Sequence, residues 1–77
     1  MTELITSNVV GLIADLERAR NGANAHTVNK TIFYLRYWQN PEHSIHQSRW
    51  TLHVTQAKLA LSSGDWRALS ASMRGLQ

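Results

Sequence analysis

The chain has 77 residues and a mass of 8.7 kDa, enough for one domain over residues 1–77, which excludes multidomain enzymes with deep clefts. Hydrophobic residues make up 43% and cysteine is absent, so a core can form without disulfides, thiolate zinc sites or thiol redox chemistry. The formal charge is +3 and the charged fraction 17%, below the roughly 25% of an average domain, and no two bases are adjacent, so no dense polyanion-binding run is present.

In chain order, the first predicted helix covers about residues 3–20. Ile5, Val9, Leu12, Leu16 and Ala19 recur at helical spacing with Ile13 beside them, one apolar stripe. Glu3, Asp15 and Glu17 make residues 1–17 acidic, and all eight Lys and Arg follow. Gly22 offers a left-handed cap after Arg18 and Arg20, and Gly11 implies either a close helix approach or a locally weak helix. The second helix, about 25–39, has a core stripe of Val28, Ile32 and Leu35, flanked by Thr31 and Trp38. Phe33 and Tyr37 lie on the opposite side, with Lys30 next to them and Tyr34 on the flank.

Asn40 and Pro41 form a start signal for a third helix, about 41–62, with Ser44 and Gln47 as a second start in capping-box spacing. This helix has two apolar stripes: Ile45, Leu52 and Leu59, and Trp50, Val54, Ala57 and Leu61. Two stripes imply a long central helix between layers, with the first two helices on one side. Gly64 turns the chain into a short fourth helix, about 65–75, presenting Trp66, Leu69 and Met73. With no strand alternation and no internal repeat, the expected fold is an all-α, small four-helix domain.

Two segments resemble known helical motifs. Gly22 to Arg36, GANAHTVNKTIFYLR, resembles a helix-turn-helix, which implies that Asn24, His26, Thr27, Asn29, Lys30 and Arg36 face bases and phosphates of a nucleic acid. It departs from that pattern at Glu17, Arg18 and Asn21, where apolar, small and apolar residues belong, and at Thr31, where the second helix expects an apolar one. The stretch LALSSGDWRALSASMRGL resembles the inter-helix corner of tetratricopeptide-like hairpins and implies a hairpin of the last two helices.

The remaining constellations favour surfaces over chemistry. Aromatic rings beside arginine concentrate binding energy at protein interfaces, so Phe33, Tyr34, Tyr37, Lys30 and Arg36 are the candidate protein-binding residues, while Trp38, Trp50 and Trp66 are expected in the core. His43 and His46 share a helical face, but His53 lies two turns further on, and no third ligand completes a zinc site, so no metal or other cofactor is expected. No nucleophile, base and orienter share a pocket-forming pattern, so an enzyme is not expected.

No apolar run approaches the roughly 20 residues of a membrane span, and Met1 to Leu16 carries no basic segment ahead of its apolar residues, so the expected location is cytoplasmic with no membrane contact. The expected function is a non-enzymatic adaptor or stoichiometric inhibitor docking onto a larger protein or complex, of a size suited to carriage by a phage or mobile element. The alternative is a nucleic-acid-binding accessory protein. Leftover apolar surface on the second and third helices makes a homodimer a further expectation.

Overall fold

The computed structural model describes residues 2–39 and 47–74, with side chains placed for 9–39 and 49–74. It is all-helical: α1 spans Thr2–Ala19, α2 Ala25–Gln39, α3 Gln47–Ser63 and α4 Trp66–Arg74. These agree with the expected segments to within about two residues wherever both are described. The Asn40–Pro41 start, Ser44 and Ile45 lie outside the described residues, so neither expected start of the third helix is tested.

The apolar stripes converge on one core. Val9, Leu12, Ile13 and Leu16 of α1 pack with Val28, Ile32 and Leu35 of α2, Trp50, Val54, Ala57 and Ala60 of α3, and Leu69 of α4. Trp38, Leu61, Tyr34 and Trp66 lean on this core from its edge, partly buried. Each fully buried Leu or Val contributes on the order of 1.5 to 3 kcal/mol of transfer free energy, so these stripes set which way every helix turns.

The helices close in a ring: α1 neighbours α2 and α3, and α4 neighbours the same two. Among the described residues, α2 and α3 do not approach each other, nor do α1 and α4. The layered position expected for α3 is therefore corrected to a corner of a four-cornered bundle. One of its stripes, containing Trp50, Val54 and Ala57, enters the core, while Leu52 and Leu59 of the other stay 58% and 66% exposed. The reason is coverage: α4 is nine residues long and sits on the core side of α3, which leaves no element for the second stripe.

Two corners fix the path, by different means. At the α3–α4 corner Gly64 takes a left-handed φ of 68°. Its N–H donates to the Leu61 carbonyl at 3.1 Å and that of Asp65 to the Ala60 carbonyl at 2.9 Å, the paired closure of a Schellman cap. Asp65 then caps α4, its Oδ1 accepting from the Ala68 N–H at 3.0 Å.

At the α1–α2 corner the expected left-handed Gly22 is not found, since Gly64 alone of the described glycines has a positive φ. Asparagine side chains do the work instead. Asn24 Nδ2 donates to the Ala19 carbonyl at 3.0 Å, and Asn24 Oδ1 accepts from the Asn21 N–H at 2.7 Å, so one amide joins the end of α1 to the start of α2. Asn21 Oδ1 in turn accepts from the Ala23 N–H at 2.9 Å.

Gly11 is exposed, and a Cβ built there would meet nothing within 4 Å among the described residues, so no helix packs closely against it. Gly11→Ala should therefore stabilise the fold by about 0.5 to 1 kcal/mol in urea unfolding, because it removes backbone entropy from the unfolded chain without a clash. Gly64→Ala should destabilise it by about 1 to 2 kcal/mol, the cost of a Cβ in the left-handed region. Shifts of the same sign would contradict the two environments.

Candidate functional site

The outward side of α2 is where the sequence-derived site residues gather. Burial of Val28, Thr31, Ile32 and Leu35 points that face of the helix inward, and helical spacing then carries His26, Lys30, Phe33 and Tyr37 along the outside. Phe33 is 59% and Tyr37 40% exposed, as their position opposite Val28 implies. Their rings stack with centroids 6.1 Å apart and planes 25° apart. Tyr34 meets Phe33 edge-on at 5.4 Å, and Trp38 meets Tyr37 edge-on at 5.1 Å. The four rings make a continuous aromatic ridge whose inner edge is the half-buried Trp38.

Polar groups from α1 border the ridge on one side. Arg36 pairs with Glu17 at 3.0 Å, and Arg20 donates to Asn29 Oδ1 at 2.9 Å. Both contacts are solvent-exposed, so each adds on the order of 0 to 1 kcal/mol to stability, but they set the guanidinium groups beside the rings. Between them lies an open groove of about 460 Å³, with the buried Ile32 at its base and Phe33 and Tyr37 along its wall. Further along α1, Arg18 pairs with Asp15. Arg20, Lys30 and Arg36 outnumber Glu17 here, so the margin of the ridge is basic.

The helix-turn-helix set is only partly available as a reading surface. His26, Asn29, Lys30 and Arg36 are exposed and Thr27 is partly so. Asn24 is buried, and its amide is committed to the α1–α2 corner, while Asn29 and Arg36 hold Arg20 and Glu17. Thr31 is fully buried, and a hydroxyl explains how a polar residue occupies this apolar position. Its Oγ1 lies 2.8 Å from the Thr27 carbonyl and 2.9 Å from Met73 Sδ, so its proton has an acceptor inside the core.

His43 and His46 lie outside the described residues. His53, the third member of the histidine set, faces the core and is 4% exposed. Its Nδ1 sits 2.7 Å from the Ser72 carbonyl, which fixes the proton on Nδ1, and its ring lies nearly parallel to that of Trp50. Nε2 has no partner among the described residues, as is also true of Trp38 Nε1. Sequence reasoning weighed His53 only as a metal ligand and missed this role. Its position three residues after Trp50 and four before Ala57, both on the core stripe, was the available signal. Among the described residues no three His, Cys, Asp or Glu gather as a metal site, and no helix is long and apolar enough to cross a membrane.

The chain matches no known protein family, no curated protein and no solved structure.

Burial pushes the His53 pKa below its ordinary value, against the opposing effect of the Ser72 hydrogen bond. The folded protein therefore binds fewer protons at this site than the unfolded chain. Its contribution to stability is full above the ordinary histidine pKa of roughly 6.5 and falls as pH drops from there toward the depressed folded value. Melting temperatures measured between neutral and mildly acidic pH should decline on acidification, and His53→Phe should flatten that decline. An unchanged slope in the variant would assign the pH dependence to other groups.

Proposed function

We propose that this chain is a non-enzymatic protein-binding module, an adaptor or stoichiometric inhibitor that docks the α2 ridge onto a larger protein or complex. The observation that carries this is the exposed, mutually stacked pair Phe33 and Tyr37, bordered by Arg36 and Arg20. Aromatic rings give large contact area for little loss of side-chain freedom, and arginine beside them supplies directional hydrogen bonds, the combination enriched among residues that dominate binding energy. Tyr34 and Trp38 brace the pair from below, so the rings are pre-ordered and less entropy is lost on docking.

A second reading, an accessory protein that binds nucleic acid through His26, Thr27, Asn29, Lys30 and Arg36, draws on the basic margin of the same ridge. It is less favoured because Asn29 and Arg36 already hold partners on α1 and Asn24 is unavailable. The two readings separate by salt. Phosphate neutralisation makes log affinity fall linearly with log salt, whereas an aromatic-centred protein interface responds weakly.

A partner captured from lysate on the tagged chain, with and without nuclease, is then titrated against variants. Phe33→Ala and Tyr37→Ala should each weaken a protein partner by about 2 kcal/mol or more with unchanged helicity by circular dichroism. Affinity unaltered in both variants would refute the assignment. Capture abolished by nuclease, with a steep salt slope that Lys30→Ala reduces, would establish the second reading in its place.

A further inference from the structure

We propose that the groove between α1 and α2 takes an acidic segment of the partner, with a glutamate or aspartate side chain on Arg20 and an apolar neighbour of that acid laid against Phe33 and Tyr37. The inference rests on the reading of α2 as a docking ridge and adds the chemistry of what docks there.

The two guanidinium groups of the groove are not equally satisfied. Arg36 donates to the Glu17 carboxylate at 3.0 Å, so its charge is met within the chain. Arg20 donates to Asn29 Oδ1 at 2.9 Å, a neutral amide oxygen, and so keeps its full charge. A guanidinium has five donors in a planar fork, and Arg20 spends one of them on Asn29, which leaves an edge for the two oxygens of a carboxylate. The pair of Glu17 with Arg36 shows the same chemistry already at work in this groove.

Charge selects the occupant. Arg20 lines the same groove as Phe33 and Tyr37, and Asn29, which holds it, stands one helical turn before Phe33. A partner that covers the two rings therefore also takes water from Arg20. A neutral partner would leave that guanidinium poorly solvated and without a counter-charge, and a basic one would repel it. A carboxylate beside an apolar side chain meets both demands, since the acid neutralises Arg20 while its neighbour covers the rings over the apolar floor at Ile32.

The same groove disfavours a regular polyanion. Glu17 lies among its lining residues, and an unbroken row of phosphates passing Arg20 and Arg36 would set negative charge against it. A peptide segment with a separate carboxylate can reach Arg20 and avoid Glu17. The groove is open, which suits a segment that enters and leaves along the helices.

The test titrates the isotope-labelled full chain by NMR with two probes: a short capped peptide of glutamate beside phenylalanine, and the same peptide with glutamine in place of glutamate. At millimolar concentration the glutamate probe should shift the amides around Asn29, Phe33 and Arg36, and the glutamine probe should bind about fivefold more weakly. Arg20→Gln should remove that preference and leave affinity for the glutamine probe unchanged, with the same circular dichroism. Glu17→Gln, which frees Arg36, should tighten the glutamate probe. No shift with either probe, equal affinity for both, or a glutamate preference that survives Arg20→Gln would each overturn the proposal. So would single-stranded oligothymidylate moving the same amides at lower concentration with a steep salt slope, or groove shifts that follow the concentration of the chain itself, which would give the groove to a second copy. Equal binding of the two probes that Phe33→Ala abolishes would remove the acidic requirement and keep the ridge as the docking site. A glutamate preference indifferent to both Phe33→Ala and Tyr37→Ala would strike the ridge reading and this proposal together.

Discussion

The bundle depends on how α4 is held. A helix of nine residues has little stability alone, since isolated helices below about 12 to 15 residues are marginal in water. Here it is clamped from both neighbours by polar contacts inside the core: His53 Nδ1 of α3 on the Ser72 carbonyl, and Thr31 Oγ1 of α2 against Met73 Sδ. Thr31 has one proton for two acceptors, Thr27 and Met73, so the sulfur contact is an adjustable one. Leu69, fully buried between these clamps, completes the packing. By touching α2 and α3 together, α4 keeps those two helices at opposite corners, which is why their outward faces look in different directions.

Much of this was legible in the sequence, because apolar spacing reports directly on which way a helix faces. Val9, Leu12 and Leu16, then Val28, Ile32 and Leu35, are buried as their periodicity requires, and Phe33 and Tyr37 are exposed by the same rule. What periodicity could not settle was which of the two stripes of α3 meets the core, since both are apolar and the decision depends on how much surface α4 can cover. Corners were harder still. A glycine after a basic helix end is a common left-handed cap, yet at Gly22 the asparagines on either side satisfy the backbone, and no left-handed residue is required. The polar core residues, Asn24, Thr31, His53 and Ser72, escaped notice because their burial is licensed by individual hydrogen bonds that spacing does not encode.

The two outward faces differ in chemistry as sharply as in direction. On α2, rings are braced by rings and bordered by guanidinium groups held in place from α1, so polarity and apolar area are mixed at the scale of single side chains. On α3, leucines stand among threonine, glutamine, alanine and serine, with charge kept to the flanks. The small size of the chain explains why both can be exposed: with four helices, each occupying a corner, every helix keeps a solvent-facing side.

The ring order also has a kinetic consequence. Two of its four contacts, α1 with α2 and α3 with α4, join helices adjacent in sequence through short turns, and only the α1–α3 and α2–α4 contacts close larger loops. Hairpins of neighbouring helices form with little loop-closure entropy, and helical domains dominated by such contacts fold in microseconds to milliseconds. The cooperative step is then the docking of one hairpin on the other, across the seam where Thr31 reaches Met73. A contact at that seam, such as that of Thr31 with Met73, forms only when the two hairpins meet, whereas side chains on the outward rim of either hairpin, such as Phe33 and Leu59, take no part in it.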